Sequence, residues 1–122
     1  KPFVEKLSGG VRYAEKSWGS FTIIDTGKLS LTIRVVLMPG HRLHYHSHSR
    51  RDEIWNVVEG EGCAVVDDER IEVSPGSVIR LPAGCRHTVA ARTALKIIEV
   101  QLGSDIDVAD KEKYEDPFGE LG

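Results

Sequence analysis

The 122-residue chain has two cysteines, one methionine and no strong excess of either charge. Sixteen Lys and Arg face nineteen Asp and Glu, which leaves a formal net charge of −3. With the basic residues scattered, this balance argues against a protein that grips nucleic acid by its phosphates, and no nucleic-acid partner is expected. Long apolar runs are missing as well. The uninterrupted stretches are a few residues long, against the roughly 20 needed to cross a bilayer as a helix, so no membrane partner is expected. No charged start followed by an apolar segment marks a secretion signal. Because the chain opens on Lys1 and Met38 is its only methionine, a trimmed, processed or excised product is expected. Cys63 and Cys85 lack the paired spacing of a metal or redox motif and read as two reduced thiols, which suits a cytoplasmic location.

A core is affordable at 40% hydrophobic and 29% charged residues, which argues against a disordered or low-complexity chain. The length fits one domain over residues 1–122, with a core at about 16–102 and an acidic tail over 103–122 that is packed on it or partly mobile. Short runs of Val, Ile, Leu, Thr and aromatics recur between Gly and Pro signals, the pattern of an all-β fold. Strands are expected at 11–16, 20–25, 29–38, 42–48, 53–58, 62–67, 70–73, 77–81, 86–91 and 94–102. Pro39-Gly40 and Pro75-Gly76 suit tight turns, and Asp67-Asp68 suits a hairpin corner. So many short strands hide their edges by closing on one another, as a small barrel or jelly roll does.

The segment PGHRLHYHSHSRRDEIW crowds His44, His46, His48 and Glu53 together. Side chains alternate along a strand, so the three histidines are expected on one face. Imidazoles with a carboxylate suit a first-row divalent metal such as Zn, Mn, Fe, Co or Ni, whereas the bland alternative is a solvated histidine cluster on an outer face.

A second segment, GSVIRLPAGCRH, ends in His87. In the first segment Gly40 is followed after five residues by His46, then by His48, by Glu53 after four more and by Gly60 after six. In the second, Gly76 is followed after five residues by Pro82, then by Gly84 and by His87 after two more. These spacings resemble the two signature motifs of the cupin superfamily, except that Ala91 stands where the second usually ends in Asn. The resemblance implies a double-stranded β-helix, the cupin jelly-roll barrel. It also implies one metal ion held by His46, His48, Glu53 and His87.

A narrower likeness runs over about residues 16–119. Ser17-Trp18-Gly19-Ser20-Phe21 resembles the Pro-Trp-Gly-Ser-Tyr of type II mannose-6-phosphate isomerases. His48, Arg51, Glu53 and Trp55 match that family's metal segment, and Ile98-Glu99-Val100-Gln101 with Gly103 resembles its Ile-Glu-Val-Gln-x-Gly. Tyr114-Glu115-Asp116 resembles a late Phe-Glu-Asp, while His46 stands where the family has Gln. In that family the domain is often the C-terminal part of a bifunctional enzyme with mannose-1-phosphate guanylyltransferase. The likeness implies a metal-dependent aldose–ketose isomerase that interconverts mannose 6-phosphate and fructose 6-phosphate through an enediol, with a sugar phosphate as its small-molecule partner. Homodimerisation is expected, since cupins commonly pair sheets across an interface. Another cupin enzyme, such as an Fe(II) dioxygenase, and a non-catalytic sugar-binding cupin remain the alternatives.

For the isomerase, His44 is a candidate proton carrier or a hydrogen-bonding support for a ligand. Glu99, an acid in an apolar strand, is a candidate base or a structural partner. Arg51 is a candidate catalytic and phosphate-binding group, since its planar fork takes two phosphate oxygens; the alternative is an arginine that fixes the ligand loop. Arg42 and Arg80 are candidates to join it at the substrate, or surface charges. Trp55 reads as core packing more than as a sugar platform.

Overall fold

A computed structural model describes residues 13–104, 106 and 110–118. Among them there are eleven strands and no helix. They are β1 (Tyr13–Lys16), β2 (Gly19–Thr26), β3 (Ser30–Leu37), β4 (His46–Ser47), β5 (Asp52–Glu59), β6 (Gly62–Val66), β7 (Glu69–Val73), β8 (Val78–Leu81), β9 (His87–Ala91), β10 (Leu95–Leu102) and β11 (Glu112–Lys113). Two antiparallel sheets result, one ordered β1-β2-β3-β10-β5-β8 and the other β11-β4-β9-β6-β7. The expected all-β architecture is therefore present. Residues 11–12 of the first expected strand lie outside the described residues, as do 105, 107–109 and 119–122 of the tail.

The period of two that marked the strands decides what faces the core. In β3, Leu31, Ile33, Val35 and Leu37 are buried while the residues between them are half-exposed. β10 buries Leu95, Ile97, Glu99 and Gln101, and β5 buries Glu53, Trp55 and Val57. Pairing sets Glu99 opposite Trp55 and Gln101 opposite Glu53. One inner face thus runs from apolar (Leu37, Val57, Leu95) to polar (Glu53, Glu99, Gln101). The apolar end makes the core, and the polar end prepares a site.

Glycine is required where backbones close up. Gly19 has φ +151°, and a Cβ there would lie 1.9 Å from the Val36 carbonyl oxygen. At Gly60, φ is +87° and a Cβ would meet the Ala94 carbonyl oxygen at 2.0 Å. Asp67 and Asp68 both have positive φ, 48° and 71°, which is the two-residue corner expected between β6 and β7.

One expectation needs correction. The strand over 42–48 shrinks to His46–Ser47, with only an isolated bridge from Arg42 to Ala90 before it. Side chains explain the break: the Thr88 hydroxyl donates to the Leu43 carbonyl at 2.7 Å, and His46 Nδ1 donates to the His44 carbonyl at 2.6 Å. Those carbonyls are taken, so a regular ladder does not form there. The tail also contributes a strand, since β11 pairs with β4, with Lys113 opposite His46. Beyond it, Phe118 and Tyr114 pack with Tyr45 and Val65 in a second apolar cluster, so this stretch forms part of the fold.

Candidate metal centre and its cavity

The short β4 and the start of β9 are paired at one position, His46 with His87. His48 follows two residues later, and all three histidines are buried. Their ligand atoms lie within 4.8 Å of one another. Each Nδ1 faces a backbone carbonyl: His46 to His44 at 2.6 Å, His48 to Asp110 at 2.6 Å and His87 to Cys85 at 3.2 Å. A carbonyl only accepts, so each Nδ1 carries the proton and each Nε2 keeps its lone pair. This is the arrangement that orients metal-binding histidines. Burial, with the neighbouring His87, depresses the His46 pKa to about 3, and burial also takes His48 down to about 4. Both rings are therefore neutral at pH 7, as metal ligation requires. His87 Nε2 is buried and has no hydrogen-bond partner among the described residues. An orphaned acceptor beside two further imidazole lone pairs fits a bound cation, and the His46/His48/His87 triad can bind a metal ion.

Glu53, on β5, reaches the triad from the other sheet. Its Oε2 lies 3.3 Å from His48 Nε2 and its Oε1 3.5 Å from His87 Nε2. Arg51 Nε donates to Glu53 Oε2 at 2.8 Å, and Arg51 Nη2 donates to His48 Nε2 at 3.0 Å, a bond that a metal ion on that nitrogen would replace. Burial opposes the Glu53 charge, but His87, the Arg51 guanidinium and His48 outweigh it and hold the carboxyl below the usual range.

Glu99 is the opposite case. Burial, reinforced by the Glu53 charge, pushes its pKa up to about 8, so it is protonated at neutral pH. Trp55 Nε1 donates to Glu99 Oε1 at 3.1 Å, and Gln101 Nε2 donates to Oε2 at 2.7 Å. Two acids in one site are thus driven to different protonation states, a pairing that suits proton transfer.

Except for His87, these groups line a cavity of about 520 Å³, within the range of small-molecule sites. His44, His46, His48, Arg51, Glu53 and Glu99 all reach it. His44 is exposed at its mouth, where partial desolvation and the ammonium groups of Lys113 and Lys111 lower its pKa. Trp55 is buried edge-on against the His87 ring, 5.5 Å between centroids, and also anchors Glu99. Arg42 and Arg80, expected at the substrate, lie outside the cavity lining. Arg42 pairs with Asp116 at 2.7 Å and lies over the Phe118 ring, and Arg80 is exposed between the buried Ile79 and Leu81 of β8.

Among the cavity and support residues not singled out from the sequence are Lys16, Lys111, Lys113 and Asp110. No sequence pattern marked Lys111 and Lys113, because β11 has only two residues. Asp110 clamps the ligand loop. Its carboxylate accepts from Ser49 N at 3.0 Å, Ser49 Oγ at 2.7 Å and Arg50 N at 2.8 Å, while its carbonyl holds His48.

Residues 9–116 match the family model described as mannose-6-phosphate isomerase C-terminal. The chain is 32% identical over 106 residues to the alginate biosynthesis protein AlgA of Pseudomonas aeruginosa, covering 85% of this chain and 22% of that protein. It is 28% identical over 130 residues to the mannose-1-phosphate guanylyltransferase ManC of Salmonella typhimurium, covering 99% of this chain and 27% of that one. The chain thus spans about a quarter of the length of these curated relatives. Among solved structures, a Klebsiella pneumoniae protein with a double-stranded β-helix domain superposes with a TM-score of 0.68 at 14% identity, covering 78% of this chain and 83% of that one. At that identity the likeness speaks for the fold alone. With its two antiparallel sheets in the cupin arrangement, the chain belongs to the mannose-6-phosphate isomerase C-terminal family.

Proposed function

We propose that this domain is a metal-dependent isomerase of mannose 6-phosphate and fructose 6-phosphate, with His46, His48, Glu53 and His87 as ligands of one divalent ion. The observation that carries the reading is the buried triad of His46, His48 and His87, two of whose rings line a cavity that also holds one ionised and one protonated carboxyl. Membership of the family supports the choice of a sugar phosphate as substrate. When bound, a first-row divalent ion suited to this donor set (Zn, Mn, Fe, Co or Ni) supplies Lewis-acid polarisation of substrate oxygens.

The remaining chemistry falls to side chains. Aldose–ketose interconversion moves a proton between adjacent carbons by way of an enediol. Glu99, with its pKa near 8, lies close enough to neutrality both to take that proton and to return it. Trp55 and Gln101 hold its two oxygens in place, so the proton-carrying group is positioned before substrate arrives. Gln101 Oε1, buried and without a partner among the described residues, is an acceptor for a sugar hydroxyl. Arg51 acts through Glu53 by keeping it ionised. His44, at the mouth, exchanges protons with solvent. Phe21, Ile33 and Val35 form an apolar wall that limits water beside Glu99.

A coupled assay on metal-loaded protein with mannose 6-phosphate and with fructose 6-phosphate tests the reading. Interconversion of the two is expected, and no turnover in either direction overturns it.

A further inference from the structure

The mouth of the cavity carries three ammonium groups that the chemistry above leaves unused. Lys16 ends β1, in the first sheet; Lys113 ends β11, the edge strand of the second, and Lys111 immediately precedes that strand. All three line the cavity. Glu112 does not line it and borders a separate depression beside Ser47 and Ser49, which Lys111 also borders. Among the described residues, no carboxylate forms an ion pair with Lys16, Lys111 or Lys113.

Three like charges, one from β1 and two from the segment at β11, repel one another unless a ligand shares them. Their proximity is felt at Lys111, whose pKa is lowered by desolvation and by Lys113, Arg51 and Lys16. The ionised acid deeper in the cavity, Glu53, is engaged by Arg51 at 2.8 Å. In a chain of net charge −3, this rim is a local positive field with a concave surface behind it. A compact dianion fits such a rim, since lysine binds phosphate as a mobile point charge. Arg51 is held elsewhere, because its Nε donates to Glu53 at 2.8 Å.

We propose that Lys16, Lys111 and Lys113 form a phosphate subsite at the cavity mouth, which holds the dianion of a phosphorylated sugar while Arg51 stays with Glu53. The proposal rests on the isomerase reading for the sugar, and on the lysines alone for the anion.

The test titrates metal-loaded full chain calorimetrically with inorganic phosphate, mannose 6-phosphate and mannose. Two variants from different strands, Lys16→Gln and the double Lys111→Gln/Lys113→Gln, are compared with Lys96→Gln. The control removes the same charge from β10, where Lys96 pairs with Glu59 outside the cavity. Loss of charge-assisted contacts predicts affinity for phosphate and mannose 6-phosphate lower by about tenfold or more in both cavity variants. Mannose affinity and metal content should not change, and Lys96→Gln should match wild type. The proposal is overturned if wild type does not bind phosphate in the millimolar range, if the cavity variants bind it as wild type does, or if Lys96→Gln loses as much. Lysine-dependent phosphate binding without isomerisation upholds the subsite and removes the isomerase reading. Isomerisation that is indifferent to all three lysines does the reverse.

Discussion

Asp110 touches no ligand atom of the metal centre, yet replacing it with alanine should weaken metal binding. Its carboxylate accepts three hydrogen bonds from Ser49 and Arg50, and its own carbonyl fixes the His48 Nδ1 proton. Asp110→Ala leaves the carbonyl in the chain but removes the clamp that sets its distance from the ring. Three bonds to a partly exposed carboxylate, discounted for solvent, are together worth about 1–2 kcal/mol of stability. The effect on metal is the more diagnostic one. Groups that orient a ligating histidine contribute about 10–100-fold to metal affinity, or about 1.4–2.7 kcal/mol. Chelator competition on folded protein measures the affinity, and urea unfolding of metal-free protein measures the stability. Asp110→Asn keeps one acceptor and should fall between wild type and alanine. A stable Asp110→Ala protein that binds metal as tightly as wild type would refute the reasoning, because the His48 orientation would then not depend on the clamp.

Glu99→Gln keeps the shape and the Trp55 contact but cannot carry the proton, so kcat/KM for the sugar phosphates should fall about 10²–10⁴-fold with metal content unchanged. Undiminished turnover would return Glu99 to a structural role. Cys85 is buried, and burial with the charges of Asp67, Glu53 and Asp52 pushes its thiol up to about 11. Only the thiolate reacts, so at pH 8 alkylation by iodoacetamide should label Cys85 far more slowly in folded protein than in urea, and peptide mass mapping reads the difference. Labelling at equal rates in the two states would contradict that burial.

Much of the fold was legible in β3, β5 and β10, because each keeps strict alternation and buries one complete face. The same parity bears on Arg80, which sits between two inward residues and so faces out. Parity misleads at Arg42. It shares even numbering with His44, His46 and His48, but the ladder breaks between Arg42 and His46 where Thr88 and His46 take backbone carbonyls. Those bonds depend on side chains more than forty residues away in one case, which no local pattern contains. Lys111 and Lys113 were hidden for another reason. A two-residue strand is too short to show a period, and its place beside β4 is set by tertiary pairing and by the Asp110 clamp. The protonation states of Glu53 and Glu99 were equally out of reach, since both follow from which buried groups meet across the two sheets.

The central claim is that His46, His48 and His87 hold a metal ion, and elemental analysis of purified protein tests it most directly. Wild type should carry about one equivalent of a first-row divalent metal, and the folded double variant His46→Ala/His48→Ala should lose it, because each substitution removes an Nε2 donor. Equal metal content in the two proteins would contradict the account.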